Sequence, residues 1–170
     1  MNANEHSAGY KIEKVFVADQ EYRIVSTEGF DEIEAVPERV VNFGWDWRPV
    51  SSRRFEVVIE VSIDPVRSAP ERVSVRVVGL FYAEEGQLSI SFPDFVQVNA
   101  PAILFPFARE AISSTSGRGP YGAFHLNPLN VRTLMKGFAL EKSSGYELMQ
   151  HNEELARDFG LALTNEPIPE

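Results

Sequence analysis

The stretch Asn99-Ala100-Pro101-Ala102-Ile103-Leu104-Phe105-Pro106-Phe107-Ala108-Arg109-Glu110-Ala111-Ile112-Ser113 separates a strand-rich half of the chain from a helix-rich half. Its spacing predicts a helix. Ile103, Leu104, Phe107, Ala108, Ala111 and Ile112 recur at i, i+1, i+4, i+5, i+8 and i+9, one wide apolar stripe. Asn99 is placed to cap the start, and Pro101 is tolerated in a first turn. Phe105 falls off the stripe, so a second apolar face needs cover from a sheet or another subunit. Pro106 lacks an N–H and is expected to bend the helix or delay its start.

Upstream, alternation dominates. Val41, Phe43, Trp45 and Trp47 share one strand face, and Phe55, Val57, Ile59, Val61 and Ile63 share another. Val73, Val75 and Val77 mark a fourth strand, and Tyr10, Ile12 and Phe16 one face of the first. Short connections between successive strands predict an antiparallel meander, and Leu88–Phe92 reads as a short extra strand. Downstream, Val131, Leu134, Met135 and Phe138 predict a second helix. Ser144 with Glu147 predicts a capping box for a third, which Gly160 stops. Strands first and helices second give an α+β domain: a four-stranded antiparallel β-meander followed by helices on one side. Residues 10–160 are expected to form this one domain, with residues 1–9 disordered and 161–170 a flexible tail.

Composition narrows the function. The 170 residues contain no cysteine, which removes disulfides, thiolate metal sites and thiol chemistry. No apolar run reaches the roughly 18 residues of a membrane span, and Met1–Ser7 has no signal-peptide pattern. A cytoplasmic protein is expected. The net charge of −9 argues against nucleic acid, since Arg48, Arg53 and Arg54 are the one basic cluster and read as a solvated turn.

No catalytic or metal constellation emerges. His6, His125 and His151 have no metal spacing, and Gly-x-Ser-x-Gly, Walker and His-Glu-x-x-His motifs do not occur. No enzyme, cofactor or metal is expected. Arg109-Glu110 reads as an interhelical ion pair before it reads as a site. The unspent feature is apolar surface. With 12 Phe, 5 Tyr and 2 Trp, a small core leaves some aromatics over, among them Phe124, Leu126 and Leu129 in a loop. Such a remainder marks a subunit interface or a binding groove.

The motif Pro101-Ala102-Ile103-Leu104-Phe105-Pro106-Phe107-Ala108-Arg109-Glu110-Ala111-Ile112-Ser113 resembles the first long helix of the SecB family of bacterial export chaperones. Arg118-Gly119-Pro120-Tyr121 and Leu126-Asn127-Pro128-Leu129-Asn130-Val131 echo the segment that follows it there, and Phe55–Val61 resembles that family's third strand. The resemblance spans about residues 10–140. It implies a homotetramer, a dimer of dimers, whose first helices pack between sheets through Ile103, Leu104, Phe105, Phe107 and Ile112. It implies ATP-independent binding of unfolded, export-bound polypeptides and their delivery to SecA. Carried over by position, the client groove comprises Val41 and Phe43 with Leu134, Met135 and Phe138; Trp45 and Trp47 extend the same face.

Departures from the family pattern are also visible. Of the acidic positions that meet SecA in the family, Asp19 is matched, the next is Arg23 here, and one falls near Ser74. These departures also fit a SecB-like chaperone for a dedicated client such as an antitoxin. A small-ligand-binding or enzymatic α+β domain, and a purely structural oligomer, are the readings from other classes.

Overall fold

The computed structural model describes residues 9–26, 39–66, 69–85 and 88–161. Residues 1–8, 27–38 and 162–170, which include most of both predicted flexible ends, lie outside the described residues. Four strands, β1 (Tyr10–Ile24), β2 (Val40–Ser51), β3 (Arg54–Asp64) and β4 (Glu71–Ala83), form one sheet in the order β1-β4-β3-β2. Every pairing is antiparallel. The α+β class holds, and β2, β3 and β4 are the meander the sequence predicts. β1 is different: it lies beside β4, as in a Greek key, instead of beside β2. The short-connection argument does not reach it, because fifteen residues separate Ile24 from Val40 and free the two strands from adjacency.

The predicted alternation of β3 and β4 holds: Phe55, Val57, Ile59, Val61, Ile63, Val73, Val75 and Val77 are all buried on the helix-covered face. β1 breaks the rule. Register shifts at Ile12/Lys14 and Val17/Asp19 each swap the face that follows, so Val15 and Tyr22 join Tyr10 in packing on the core while Phe16 is turned to the other face; Ile12, before the first shift, is 50% exposed on the face of Tyr10.

The central helix begins earlier than its motif suggests. Leu88–Phe92 is not a strand; Ser91 accepts from the Asp94 N–H and caps α1 (Phe92–Asp94). A π-helical turn, Phe95–Asn99, carries the chain straight into α2 (Ala100–Ser116), so Asn99 sits inside helical backbone and caps nothing. Proline explains the wide turn. The Ala100 N–H reaches back five residues to Phe95, and Pro101 has no N–H to offer the next carbonyl, that of Val96. α2 then continues through Pro106, whose ring and whose i−4 partner Ala102 both lie at the exposed side, where water can satisfy the freed carbonyl.

α2 lies across β4, β3 and β1. Gly79 makes the approach possible: a Cβ there would fall 2.7 Å from Leu104 and 2.6 Å from the Phe81 ring. The remaining helices are short. α3 (Val131–Met135) is capped by Asn130 and ends three residues before Phe138, which sits in the following bend. The predicted third helix is two, α4 (Ser144–Gln150) and α5 (Glu153–Asp158), because Asn152 starts a new cap. Ser143, not Ser144, caps α4 by accepting from the Tyr146 N–H. Gly160 does stop α5, with paired bonds from Gly160 to Arg157 and Leu161 to Ala156.

Candidate functional site

β2 is an edge strand, and its helix-facing side chains extend beyond the area that α2 covers. The space is closed from the other side by the segment leading from α2 to α3. An apolar cavity of about 320 Å³ results. Val61, Phe105 and Leu126 form its buried floor, Phe43, Phe124 and Leu134 its half-buried walls. Val41, 39% exposed, and Leu129, 43% exposed, form the rim. The groove is therefore open along an edge rather than sealed.

Backbone contacts fix the walls. Ser116 donates to the Ile112 carbonyl and accepts from the Phe124 N–H, while Arg109 Nε donates to the Leu126 carbonyl at 3.0 Å. Arg109 thus holds the loop against α2 and forms no ion pair with Glu110 among those observed. Trp45 is fixed from below, its Nε1 donating to the Val96 carbonyl at 2.9 Å, the acceptor that Pro101 leaves free. Phe138 stands edge-on to both Phe43 and Trp45, with centroids 6.0 and 6.4 Å away.

Most of the groove residues predicted from sequence therefore meet. Val41, Phe43 and Leu134 line the cavity, and Trp45 and Phe138 join through ring contacts. Met135 is buried and does not line the cavity. Trp47 does not belong to the open face. At 1% exposure it is covered by α4 and α5, where Gly145 lies so close that a Cβ would stand 2.5 Å from the indole. Phe159 and Phe92 flank it. Periodicity puts Trp47 on the correct face of β2 but carries no information about which helix covers that end.

The predicted interface on α2 also divides. Leu104 and Ile112 are fully buried by the chain's own sheet, so they are core rather than surface. Phe105 faces Phe43, 6.3 Å between centroids, and is part of the groove floor. Phe107, 46% exposed, and the half-buried Ile103 are the members of the set left at the surface of α2. Phe105 shares the buried stripe of α2 with Leu104, Ala108, Ala111 and Ile112, and Phe107 falls outside it.

Other candidates resolve simply. Arg48, Arg53 and Arg54 pair with Glu56, Glu85 and Glu13, so the basic turn is neutralised. His125 shares a contact of 3.1 Å with Ser113 at the exposed side of α2. Among the described residues, no three His, Asp or Glu side chains gather as a metal site requires, and no helix is long and apolar enough to cross a membrane. Asp19 is exposed on the opposite face of the sheet, in a cleft of about 680 Å³ shared with Phe16, Arg76 and Leu148.

The family model for "Preprotein translocase subunit SecB" matches residues 3–141. The chain belongs to the SecB family. Its curated relatives include the protein-export protein SecB of Blochmanniella pennsylvanica (strain BPEN), 24% identical over 136 residues, 79% of this chain and 88% of that one. The SecB of Histophilus somni (strain 2336) is 24% identical over 148 residues, 85% of this chain and 86% of its own. That of Legionella pneumophila (strain Corby) is 25% identical over 138 residues, 79% and 85%. Among solved structures, the SecB-like chaperone of Mycobacterium tuberculosis in complex with a ChAD peptide from the HigA1 antitoxin superposes with a TM-score of 0.52 at 14% identity, covering 72% of this chain and 88% of that one. The last likeness is one of fold. Together with the family match it makes this chain a chaperone of the SecB type, and the match ends before α4 and α5 begin.

Proposed function

We propose that this SecB-family chain is an ATP-independent holdase that binds unfolded, export-bound polypeptides in the groove between β2 and the α2–α3 segment. The observation that carries this reading is the groove itself: a buried apolar floor with a rim of exposed Val41 and Leu129. Many weak apolar contacts along an open edge bind flexible chains without demanding one sequence. The half-buried Phe43, Trp45 and Phe138 supply adaptable aromatic area, and no nucleotide or metal is called for.

Suppression of aggregation tests the reading. The wild-type chain is expected to hold reduced, carboxymethylated lactalbumin in solution and to bind it in fluorescence anisotropy. Val41→Asp and Leu129→Asp alter rim residues without touching the core, so both should fold normally and bind about tenfold more weakly. No binding by the wild type, or binding by both variants equal to it, overturns the groove reading.

Delivery to SecA is the second part of the proposal, with Asp19 on the opposite sheet face as its contact. That separation of client groove and motor face would let both be occupied at once. Asp19→Arg should abolish co-purification with SecA while leaving lactalbumin binding intact; retention of SecA by the variant would remove Asp19 from this role.

A further inference from the structure

The described ion pairs are exposed on at least one side, with one exception. Arg39 Nη2 meets Glu71 Oε1 at 2.6 Å, and the two side chains are 3% and 0% exposed. A buried pair of this kind adds little stability, because desolvation of both charges offsets their attraction. Its surroundings give it another use. The guanidinium carbon stands 5.8 Å from the Tyr121 ring and 5.9 Å from the Phe124 ring. Its Nε and Nη1 have no hydrogen-bond partner among the described residues, so aromatic faces are what the rest of the cation meets. Arg39 also lines the groove, and Phe124 is one of its walls. Glu71, the first residue of β4, is held at a fixed place in the sheet.

We propose that the buried Arg39–Glu71 pair is the positioning element of the groove, clamping the Tyr121–Phe124 segment, and with it one wall, against the start of β2. That wall is not part of the sheet, and its backbone bonds run from the Gly122 N–H to the Gly119 carbonyl, from the Phe124 N–H to Ser116, and from Arg109 to the Leu126 carbonyl. A planar cation that must be covered by rings, itself locked by a carboxylate from the central sheet, gives a glycine- and proline-rich segment one preferred position. Apolar residues in the same space would bury as much area without that direction. The inference rests on the groove reading for its consequence in binding, and on the geometry alone for its consequence in the loop.

The test replaces the pair as a unit. Arg39→Met combined with Glu71→Leu removes both charges, so neither is left buried alone. The double variant should fold with a melting temperature at or above that of the wild type. Amide hydrogen exchange in residues 121–126 should accelerate about tenfold, and binding of carboxymethylated lactalbumin should weaken by about the same factor. Arg39→Lys keeps the charge pair but loses the flat face, and should loosen the same amides by a smaller factor. Wild-type exchange rates in both variants overturn the proposal. Failure of the double variant to fold also overturns it, since the pair would then serve the fold as a whole. If the wild type does not bind lactalbumin, the groove reading fails while the exchange rates still judge the clamp.

Discussion

At the scale of single residues, polar atoms are placed where proline and burial leave gaps. Pro101 frees the Val96 carbonyl, and Trp45 Nε1 fills it. Trp45→Phe should therefore cost about 1–3 kcal/mol, the penalty of a buried carbonyl left without a donor, read from the urea midpoint. Tyr10 is a second case. Its ring is stacked on Phe95, 4.0 Å between centroids, and burial pushes its phenol up to about 12. The unfolded phenol ionises near its ordinary value of about 10. Between these values the unfolded chain has lost a proton that the folded chain keeps, so stability falls as pH rises. Below about pH 10 the contribution is fully present. Tyr10→Phe should flatten the loss of stability between pH 10 and 12, measured by urea unfolding across that range.

At the scale of elements, the pairing of α4 with β2 shows how a helix outside the family match is fixed to a family sheet. Asp46 of β2 accepts from both the backbone N–H of Ser144, at 2.9 Å, and its hydroxyl, at 2.6 Å. Gly145 then lies flat against Trp47. A methyl group at Gly145 has nowhere to go, since the indole is enclosed by Phe92 and Phe159. Gly145→Ala is expected to destabilise the chain by about 1–3 kcal/mol and to shift Trp47 emission to the red as α4 lifts. Unchanged emission would mean that α4 accommodates the methyl by sliding along β2.

At the scale of the whole molecule, β1 and α2 carry apolar side chains that the subunit itself does not cover. Phe107 on α2 and Ile12, Phe16 and Val17 on β1 are exposed while the core beneath them is closed. We propose the assembly that the SecB resemblance implies, a dimer of dimers, with the Ile103–Phe107 side of α2 as its contact. Phe107→Asp should then yield a smaller species in sedimentation velocity while keeping the wild-type circular dichroism spectrum, because nothing inside the subunit depends on that ring. A wild-type chain that sediments as a monomer would refute the assembly, and Phe107 would be surface only.

Local patterning was enough to read the four strands, the α+β order and the family, though it also read Leu88–Phe92 as a strand that does not form. The apolar positions of β2, β3 and β4 recur with a period of two, and those of β3 and β4 are buried on the helix-covered face, while Trp47 alone is buried on β2. The Pro101–Ser113 motif is long enough to name SecB, and the apolar positions on β2 located the groove's inner wall. Long-range packing set the rest. Where β1 sits depended on bulges and a long connection, neither of which has a periodic signal. Phe105 went to the groove floor because Phe43 of β2 packs on it, Phe107 stayed 46% exposed, and Trp47 left the groove because α4 covers it. Arg39 and Glu71, 32 residues apart, form a pair that no local pattern announces. Periodicity records which side of an element is apolar. What lies on that side is set by elements distant in the chain, and the opening motif of α2 gains its second apolar face only where β2 meets it.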